Sequence, residues 1–275
     1  MNKILLGVLS CYFLAFSYDK ALENPEDINA SALSFDMDVG YTSYIIDVTS
    51  SELNRAIDST VLELRVGSSY SYGDWMWGVN GKVLLHELKS NLSSGDTISN
   101  LNDTETIDRN EFSFFGSYKL NEEFRANLLY RYAKLQSNNN YNDVRDYDTT
   151  FNYNTNGLAF SLVYIPTLLR TETQLLWLSS GAVYSQATVD VSESINNRLN
   201  DVSINDKQSA LGFQLGTGYN YLFSNNVILK VSADWYKFDF GKLDVDSQTM
   251  NGVLEQASLN EETYAVRFGV LYRFN

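Results

Sequence analysis

Hydrophobic and polar residues alternate along most of the chain with a period of two. The clearest case is the segment LSFDMDVGY, from Leu33 to Tyr41, in which every second residue is apolar and serine, aspartate or glycine stands between. A period of two is typical of a β-strand with one apolar and one polar face. The pattern recurs in about ten segments, so the chain is predicted to be all-β.

The predicted connections between these strands alternate in length. Long polar segments follow the odd-numbered strands, at Thr49–Ser59, Lys89–Asn110, Gln136–Thr149, Gln186–Lys207 and Gly241–Glu261. Tight turns rich in Gly, Asn, Asp or Pro follow the even-numbered strands, at SYGD, KLNEE, IPT and FSNN. Long loops at one end and short turns at the other are the arrangement of an antiparallel up-and-down transmembrane β-barrel.

Two predicted strands depart from simple alternation. In the sixth, Phe151 and Tyr153 have the opposite parity to Leu158 and Phe160, which predicts a β-bulge near 155–157. The seventh, from about residue 170 to 184, is ambiguous because its LLWL run is apolar at successive positions. The predicted strand count of about ten depends on this segment.

The composition of the two faces distinguishes a membrane barrel from a soluble sandwich. The apolar face is aromatic at its ends and aliphatic in its middle, as where Tyr264 and Tyr272 bracket Val266 and Val270. Tyrosine and tryptophan favour the membrane–water boundary. A closed barrel with an even number of strands leaves no strand edge whose backbone hydrogen bonds lipid would have to provide. A soluble sandwich or a lipocalin-like barrel is the alternative, but its apolar face would be largely aliphatic.

Charge and proline content narrow the function. The 275 residues contain 34 Asp and Glu against 20 Lys and Arg, a net charge of -14, which disfavours nucleic acid as a partner. The only prolines are Pro25 and Pro166, as expected of a chain whose strands are paired on both edges.

The N-terminus has the features of an export signal. Lys3 precedes an apolar run that ends in a small-x-small cleavage site at Ser17. The run is too short for a membrane span, and it continues past Cys11, which disfavours a lipoprotein signal. We therefore expect a signal peptide at residues 1–17, a short periplasmic segment at 18–30 and the barrel at 31–275.

The C-terminal segment TYAVRFGVLYRFN resembles the closing strand of bacterial outer-membrane β-barrel proteins. The alternating residues that carry the resemblance are Tyr264, Val266, Phe268, Val270, Tyr272 and Phe274. The resemblance implies a location in the bacterial outer membrane and recognition by its barrel assembly machinery. Outer-membrane lipid and lipopolysaccharide are then expected partners. The chain departs from the family pattern in one respect, because Asn275 follows the last aromatic residue.

The aspartates of the first strand are predicted to point into the barrel lumen. The first strand pairs with the last in a closed barrel, and buried carboxylates need cationic partners. The predicted lumenal charge network contains Asp36, Asp38, Glu63, Arg65, Lys82, Arg125, Arg131, Arg267 and Arg273. A catalytic or metal-binding pair is the alternative, but the sequence predicts no histidine or third acidic ligand at the same height.

The sequence contains no residue motif that supports an enzymatic function. Omptin proteases are similar in strand number and need paired aspartates and an Asp–His couple at the outer rim. The only histidine, His86, has no such motif beside it, and Asp234 is followed by Trp-Tyr. No Ser–His pair typical of an outer-membrane lipase stands out.

The acidic loops are predicted to be solvated, although Asp143, Asp146 and Asp148, or Asp244 with Asp246, are candidates for weak binding of a divalent cation. Tyr141 and Tyr147 are candidates for contact with a host surface or a phage.

The sequence thus predicts a non-enzymatic outer-membrane barrel without a cofactor, in a structural or surface-interaction role. At about ten strands its lumen should be filled by side chains. The alternative is a narrow pore for small solutes or ions, and an outer-membrane hydrolase is less favoured.

Overall fold

The structure is a computed structural model that describes residues 31–49, 54–85, 88–91, 104–141, 147–195, 202–247 and 255–274. The predicted signal peptide, the 18–30 segment, His86 and Asn275 lie outside the described residues. No helix in the described ranges is long and apolar enough to cross a membrane.

The described residues form an all-β structure, as predicted. The strands are β1 (Ser31–Thr49), β2 (Asn54–Tyr72), β3 (Trp75–Leu84), β4 (Leu88–Asn91), β5 (Thr104–Lys119), β6 (Phe124–Tyr141), β7 (Tyr147–Tyr164), β8 (Gln174–Ile195), β9 (Val202–Ser224), β10 (Val227–Ser247) and β11 (Glu255–Phe274). A single 3-10 turn, Thr167–Leu169, accompanies these strands in the described part of the chain.

The strands close into an antiparallel barrel. Except for β3 and β4, strands that are neighbours in the chain pair with each other, and β1 also pairs with β11 over residues 33–49. β4 is a short continuation of the position of β3, since both pair with β5, so the barrel has ten strand positions. This closure confirms the predicted fold class of an up-and-down barrel. Because the barrel is closed, no strand edge is left with unpaired backbone N–H and C=O groups, which lipid could not hydrogen-bond.

Short connections lie at one end of the barrel, which we call the turn end; the opposite end is the loop end. Gly73 has a φ of 56° in the β2–β3 turn, a conformation that glycine adopts without steric cost. In the β5–β6 turn, Glu122 accepts a hydrogen bond from Lys119 and lies 3.1 Å from an Arg170 nitrogen. The Lys119 hydrogen bond, followed by that from Arg170, holds the pKa of Glu122 below its usual range.

The strands reach much further toward the loop end than the sequence predicted. The predicted long loop at Gln186–Lys207 is mostly strand, because β8 continues to Ile195 and β9 begins at Val202. The same holds for Thr49–Ser59 and Gln136–Thr149, where β2, β6 and β7 extend into the predicted loop. The ambiguous seventh strand is β8, and it begins and ends later than predicted. Polar composition is compatible with a strand when the ladder pairing continues.

The predicted bulge in the sixth strand is wrong. Pairing between β6 and β7 runs without a shift from Phe124 opposite Tyr164 to Tyr141 opposite Tyr147. Phe151 and Tyr153 are buried inside the barrel, whereas Leu158 and its alternate neighbours face outward. The apolar residues have therefore changed from the outer to the inner face of a continuous strand.

This inversion of polarity recurs around the barrel. In β1, outward residues are apolar up to Tyr41, and the inward residues Tyr44, Ile46 and Val48 are apolar beyond it. In β10 the change falls between Trp235 and the inward aromatic residues that follow it. An actual bulge occurs later in β10, between residues 239 and 241, where Gly241 has a φ of 75°.

The inversion divides the barrel into two sections along its axis. The section next to the turn end carries an exposed apolar belt. Its aliphatic and phenylalanine members include Leu33, Phe35, Met37, Val39, Phe112, Phe114, Leu128, Leu158, Phe160, Leu178, Phe213, Leu215, Leu229, Val231, Val266, Phe268 and Val270. Tyrosine and tryptophan residues are common at its margins, as in the aromatic girdles of membrane barrels. Such a belt is stable against lipid hydrocarbon, whereas the section above it is apolar inside and polar outside, like a water-soluble barrel.

Candidate functional site

Two groups of charged side chains fill the lumen at the level of the belt and just above it. The lower cluster, nearer the turn end, consists of Asp36, Asp38, Arg65, Lys230, Asp234 and Arg267. The Lys230 Nζ atom lies 3.1 Å from a carboxylate oxygen of Asp36 and 3.1 Å from one of Asp38. Arg65 donates a hydrogen bond to Asp38 and lies 3.8 Å from Asp36. Both aspartates therefore share two cations, and the four side chains act as one bonded unit.

The upper cluster lies toward the loop end and consists of Glu63, Lys82, Arg109, Glu111, Arg131 and Glu261. The Lys82 Nζ atom lies 3.3 Å from Glu63 and 3.0 Å from Glu111. Glu111 also accepts a hydrogen bond of 3.2 Å from Arg131. A chain of alternating charges thus connects the four neighbouring strands β2, β3, β5 and β6 along one side of the lumen.

Two tyrosines complete the upper cluster. The Tyr153 hydroxyl donates a 2.6 Å hydrogen bond to Glu261, whose other oxygen accepts a 3.2 Å bond from Arg109. The Tyr44 hydroxyl donates to Glu63 and accepts a 2.9 Å hydrogen bond from Lys82. The Arg109 guanidinium lies 4.0 Å from the centre of the Tyr44 ring, a cation–π geometry. These contacts hold each carboxylate by more than one donor.

Each cluster is balanced in charge and shielded from water. Three carboxylates face three cations in the lower cluster, and three face three in the upper cluster. The twelve side chains are at most 9 % exposed. Burial of a charge is costly unless it is paired and hydrogen-bonded, which this arrangement provides. The clusters therefore form neutral, mutually satisfied layers inside the lumen.

Glycines make room for the charged side chains of neighbouring strands. A Cβ atom at Gly269 would collide with the carboxylate of Asp38, which lies opposite it on β1. At Gly67 it would collide with the side chains of Asp36 and Asn80. The many glycines on the polar face of the sequence therefore provide the space in which long side chains cross the lumen.

The structure brings together most, but not all, of the predicted network. The predicted residues that lie in the lower cluster are Asp36, Asp38, Arg65 and Arg267, and those in the upper cluster are Glu63, Lys82 and Arg131. Arg125 and Arg273 lie nearer the turn end, opposite Lys119 and Ser34 in the ladders, and outside both clusters. Arg267 was expected beside the β1 aspartates. It bonds Asp234 instead, because its register partner on β1 is Gly40.

Sequence reasoning missed five members of the clusters: Arg109, Glu111, Lys230, Asp234 and Glu261. Arg109 and Glu261 fell inside segments predicted to be loops, so no face was assigned to them. Lys230 and Asp234 stand on the polar face of their predicted strand, and Glu111, next to Phe112, stands on the polar face of its own. This position on the polar face was the sequence signal that could have identified them as lumenal. Strand register, which alternation does not specify, decided which of these charges meet.

An apolar layer lies over the upper cluster at the loop end. Tyr153 packs between Phe151 and Phe240, with ring centres 6.3 Å and 6.5 Å apart, and Phe238 follows at 5.8 Å from Phe240. Because β7 and β10 are separated by two strands, this row of rings crosses the lumen. Further buried members of the layer are Ile46, Val48, Leu135, Val189, Leu243 and Leu259.

The lumenal wall formed by β7–β9 differs from the rest. It carries small and uncharged residues, including Ser161, Ser179 and Gly216, where the other strands carry the charged clusters. A cavity of about 50 Å³ lies against this wall, bounded by Gln214 and Trp177 among others. The charged layers thus occupy one side of the lumen, and a small cavity of mixed lining remains on the other.

Within the described ranges, no group of three or more His, Cys, Asp or Glu side chains is placed to hold a metal ion. The candidate loop residues Asp143 and Asp146, like His86, lie outside those ranges. The candidate loop cation site at Asp143 and Asp146 therefore stays a prediction.

Comparisons with known proteins show the fold. The chain matches the outer membrane protease OmpT from Escherichia coli with a TM-score of 0.60 at 12 % identity, covering 88 % of this chain and 97 % of that one. It matches the translocator domain of the autotransporter NalP from Neisseria meningitidis with a TM-score of 0.55 at 13 % identity, covering 93 % of each chain. No family model and no curated protein sequence matches.

The closed ten-position barrel, the exposed apolar belt and these matches define the class of protein. The chain has the fold of the bacterial outer-membrane β-barrels, and the resemblance of its C-terminal strand is confirmed at the level of fold. The outward aromatic and aliphatic residues of β11 lie in the belt, as the location in the outer membrane requires. In this orientation the turn end is periplasmic and the loop end extracellular.

Proposed function

We propose that the protein is a non-enzymatic outer-membrane barrel with a sealed lumen, which supports surface structure at its extracellular end. The observation that carries this proposal is the stacking of two neutral charged clusters beneath an apolar layer. Ions would have to displace side chains that already satisfy one another, and the apolar layer offers a permeating ion no polar ligand. The narrow-pore alternative is disfavoured for the same reason.

The extracellular section gives the surface role its physical basis. Strands such as β8–β10 continue beyond the belt as a barrel with an apolar interior, so the loops they carry stand on a packed, rigid base rather than at the membrane surface. A surface-interaction role would use those loops. We also propose that outer-membrane lipid and lipopolysaccharide contact the belt and its aromatic margins, and that the assembly machinery recognises the outward residues of β11.

Because the fold is similar to that of OmpT, proteolysis is the enzymatic activity that should be tested. A barrel fold shared at 12 % identity hosts unrelated functions, so activity has to be argued from a site. The buried carboxylates Asp36 and Asp38 are engaged by Arg65 and Lys230 inside the lumen, away from any extracellular peptide. These aspartates therefore serve the interior of the barrel in our proposal.

Planar-bilayer recording and peptide turnover on the same purified protein test the proposal. We expect no steady single-channel conductance and no cleavage of a mixed peptide library. A steady wild-type conductance that changes with Arg131→Ala would overturn the sealed lumen in favour of a pore. Cleavage abolished by His86→Ala would overturn the non-enzymatic role.

A further inference from the structure

The cavity beside the β7–β9 wall is a small chamber lined by both apolar and polar side chains, and Phe115, Leu129 and Trp177 are among the apolar ones. Its polar lining is provided by Asn127, Ser161, Ser179, Gln214 and Asp234. Gln214 is buried, and its Oε1 atom has no hydrogen-bond partner among the described residues. The same holds for Oδ1 of Asn127. A buried acceptor without a partner indicates a ligand that donates a hydrogen bond, because leaving such a group unpaired is costly.

The size of the chamber limits what it can hold. One water molecule needs about 10–15 Å³ of such volume, so a cavity of about 50 Å³ accommodates a few waters or one solute of comparable size. Asp234 is bonded to Arg267, so the chamber wall carries no uncompensated charge from that carboxylate. The lining therefore suits a neutral hydrogen-bonding molecule better than an ion.

A second polar space lies below the chamber on the same wall. A cavity of about 10 Å³ near the periplasmic turns is bounded by Asn220 and Leu175. Asn220 is 5 % exposed, and neither of its side-chain polar atoms has a partner in the part of the chain that the structure describes. Unpaired buried polar groups thus continue from the chamber toward the periplasm.

Trp177 stands between the two spaces. Along the β8–β9 ladder, Leu175 lies opposite Asn220, Trp177 opposite Gly218, and Gly181 opposite Gln214. A Cβ atom at Gly218 would lie 2.5 Å from the indole ring, so the ring lies flat against the β9 backbone where that residue has no side chain. The indole lines the chamber and lies, along the ladder, between Gln214 and the Leu175–Asn220 pair of the lower space.

The chamber is closed on its extracellular side. Continuing toward the loop end, the next inward residues are Val183, Ser185, Ala187 and Val189 on β8 and Gly212 and Ala210 on β9. Ser185 is the one polar side chain among them, and its hydroxyl donates a hydrogen bond to the carbonyl of Asn156. The polar path accordingly has one direction of access, from the periplasmic turns.

From these observations we propose that the β8–β9 wall holds a hydrated chamber for water and neutral hydrogen-bonding solutes of similar size, entered from the periplasm past Trp177. The chamber goes beyond the proposed sealed barrel, since a pocket closed at the extracellular side carries no transmembrane flux. Gln214 and Asn127 bind the solute through their carbonyl oxygens, and Trp177 controls access.

Cysteine labelling of the full-length barrel tests the chamber. In a Cys11→Ser background, Gln214→Cys is treated with the small neutral reagent methyl methanethiosulfonate, with and without Trp177→Ala. We expect slow modification when Trp177 is present and a rate roughly tenfold higher in Trp177→Ala, because labelling then no longer needs a local opening that moves the indole. Trp177→Phe, which retains a ring, should give an intermediate rate.

Val183→Cys is the matched control, because Val183 is buried like Gln214 and lies on β8, the strand of Trp177, but beyond the chamber. Its rate should be unchanged by Trp177→Ala. The proposal is overturned if Gln214→Cys is not accelerated, or if Val183→Cys is accelerated equally, which would indicate general loosening. Heat-modifiable gel migration of each variant verifies that the barrel is folded. Bilayer conductance should stay absent throughout, so a failed chamber and a failed sealed lumen give different results.

Discussion

At the scale of single residues, the lumen depends on the mutual satisfaction of buried charges. Asp38 illustrates this, because its carboxylate contacts Arg65 and Lys230 at the same time. The carboxylate fits there because Gly269, opposite it on β11, has no Cβ atom to collide with it. Removal of one member of a buried pair leaves the partners with an uncompensated charge. The cost of that charge, rather than the net strength of the pair, determines the effect of a substitution.

We therefore expect Asp38→Asn to lower the free energy of unfolding by about 3–5 kcal/mol, the usual cost of breaking a buried ion pair. Urea titration of the folded barrel in lipid vesicles measures this change. Asp74→Asn is the matched control, since Asp74 is exposed in the β2–β3 turn and should alter stability little. Adding Lys230→Met to Asp38→Asn should recover part of the loss. Equal stability of Asp38→Asn and the wild type would contradict the role given to the lower cluster.

At the scale of the element, each long strand combines two environments with opposite requirements. β11 shows both, because Phe268 faces outward within the belt, whereas Asn260 faces outward above the polarity inversion. A charged side chain would be unfavourable at position 268, which faces lipid hydrocarbon, and would be tolerated at position 260, which faces water. The parity at which apolar residues appear therefore marks where a strand leaves the membrane.

Paired arginine substitutions on β11 test this boundary. Phe268→Arg should destabilise the barrel by about 2–4 kcal/mol, as found for cations facing lipid near the bilayer midplane. Asn260→Arg, on the same face of the same strand, should be nearly neutral. Urea titration in vesicles provides both values. Comparable destabilisation by the two substitutions would mean that the inversion does not mark the membrane boundary.

At the scale of the whole molecule, closure of the lumen is redundant. The charged clusters and the apolar layer lie at successive heights in the lumen and are held by different forces, the former by ion pairs and hydrogen bonds and the latter by apolar packing. Loss of either one leaves the other in place.

Conductance of combined variants should show this redundancy. We expect Arg131→Ala to remain silent in planar bilayers, and the pair Phe151→Ala with Phe240→Ala to remain silent as well. The triple variant should conduct, because it removes one cation of the upper cluster together with two of the rings that cross the lumen. Conductance from Arg131→Ala alone would show that the apolar layer does not seal the barrel. A silent but folded triple variant would show that the remaining clusters suffice.

Much of the fold was predictable from local pattern. Alternation identified the strands and their outward faces, as for Leu33–Tyr41, and short turns with glycine or asparagine identified the turn end. Strand ends toward the loop end were misplaced because the belt pattern stops there while the ladder continues. The same change of parity in β7 was mistaken for a bulge, since a sequence pattern does not distinguish a shifted register from a changed environment.

The sequence by itself determined that this chain forms a closed β-barrel with an apolar exterior, because the period of two and the belt composition are local properties of each strand. The tertiary structure alone decided which charges meet. Arg267 pairs with Asp234 on the adjacent strand rather than with Asp36, which depends on register, and Glu261 joins Arg109 from a distant strand, which depends on barrel closure. Those quantities are set by all ten strand positions together and are not contained in any one segment.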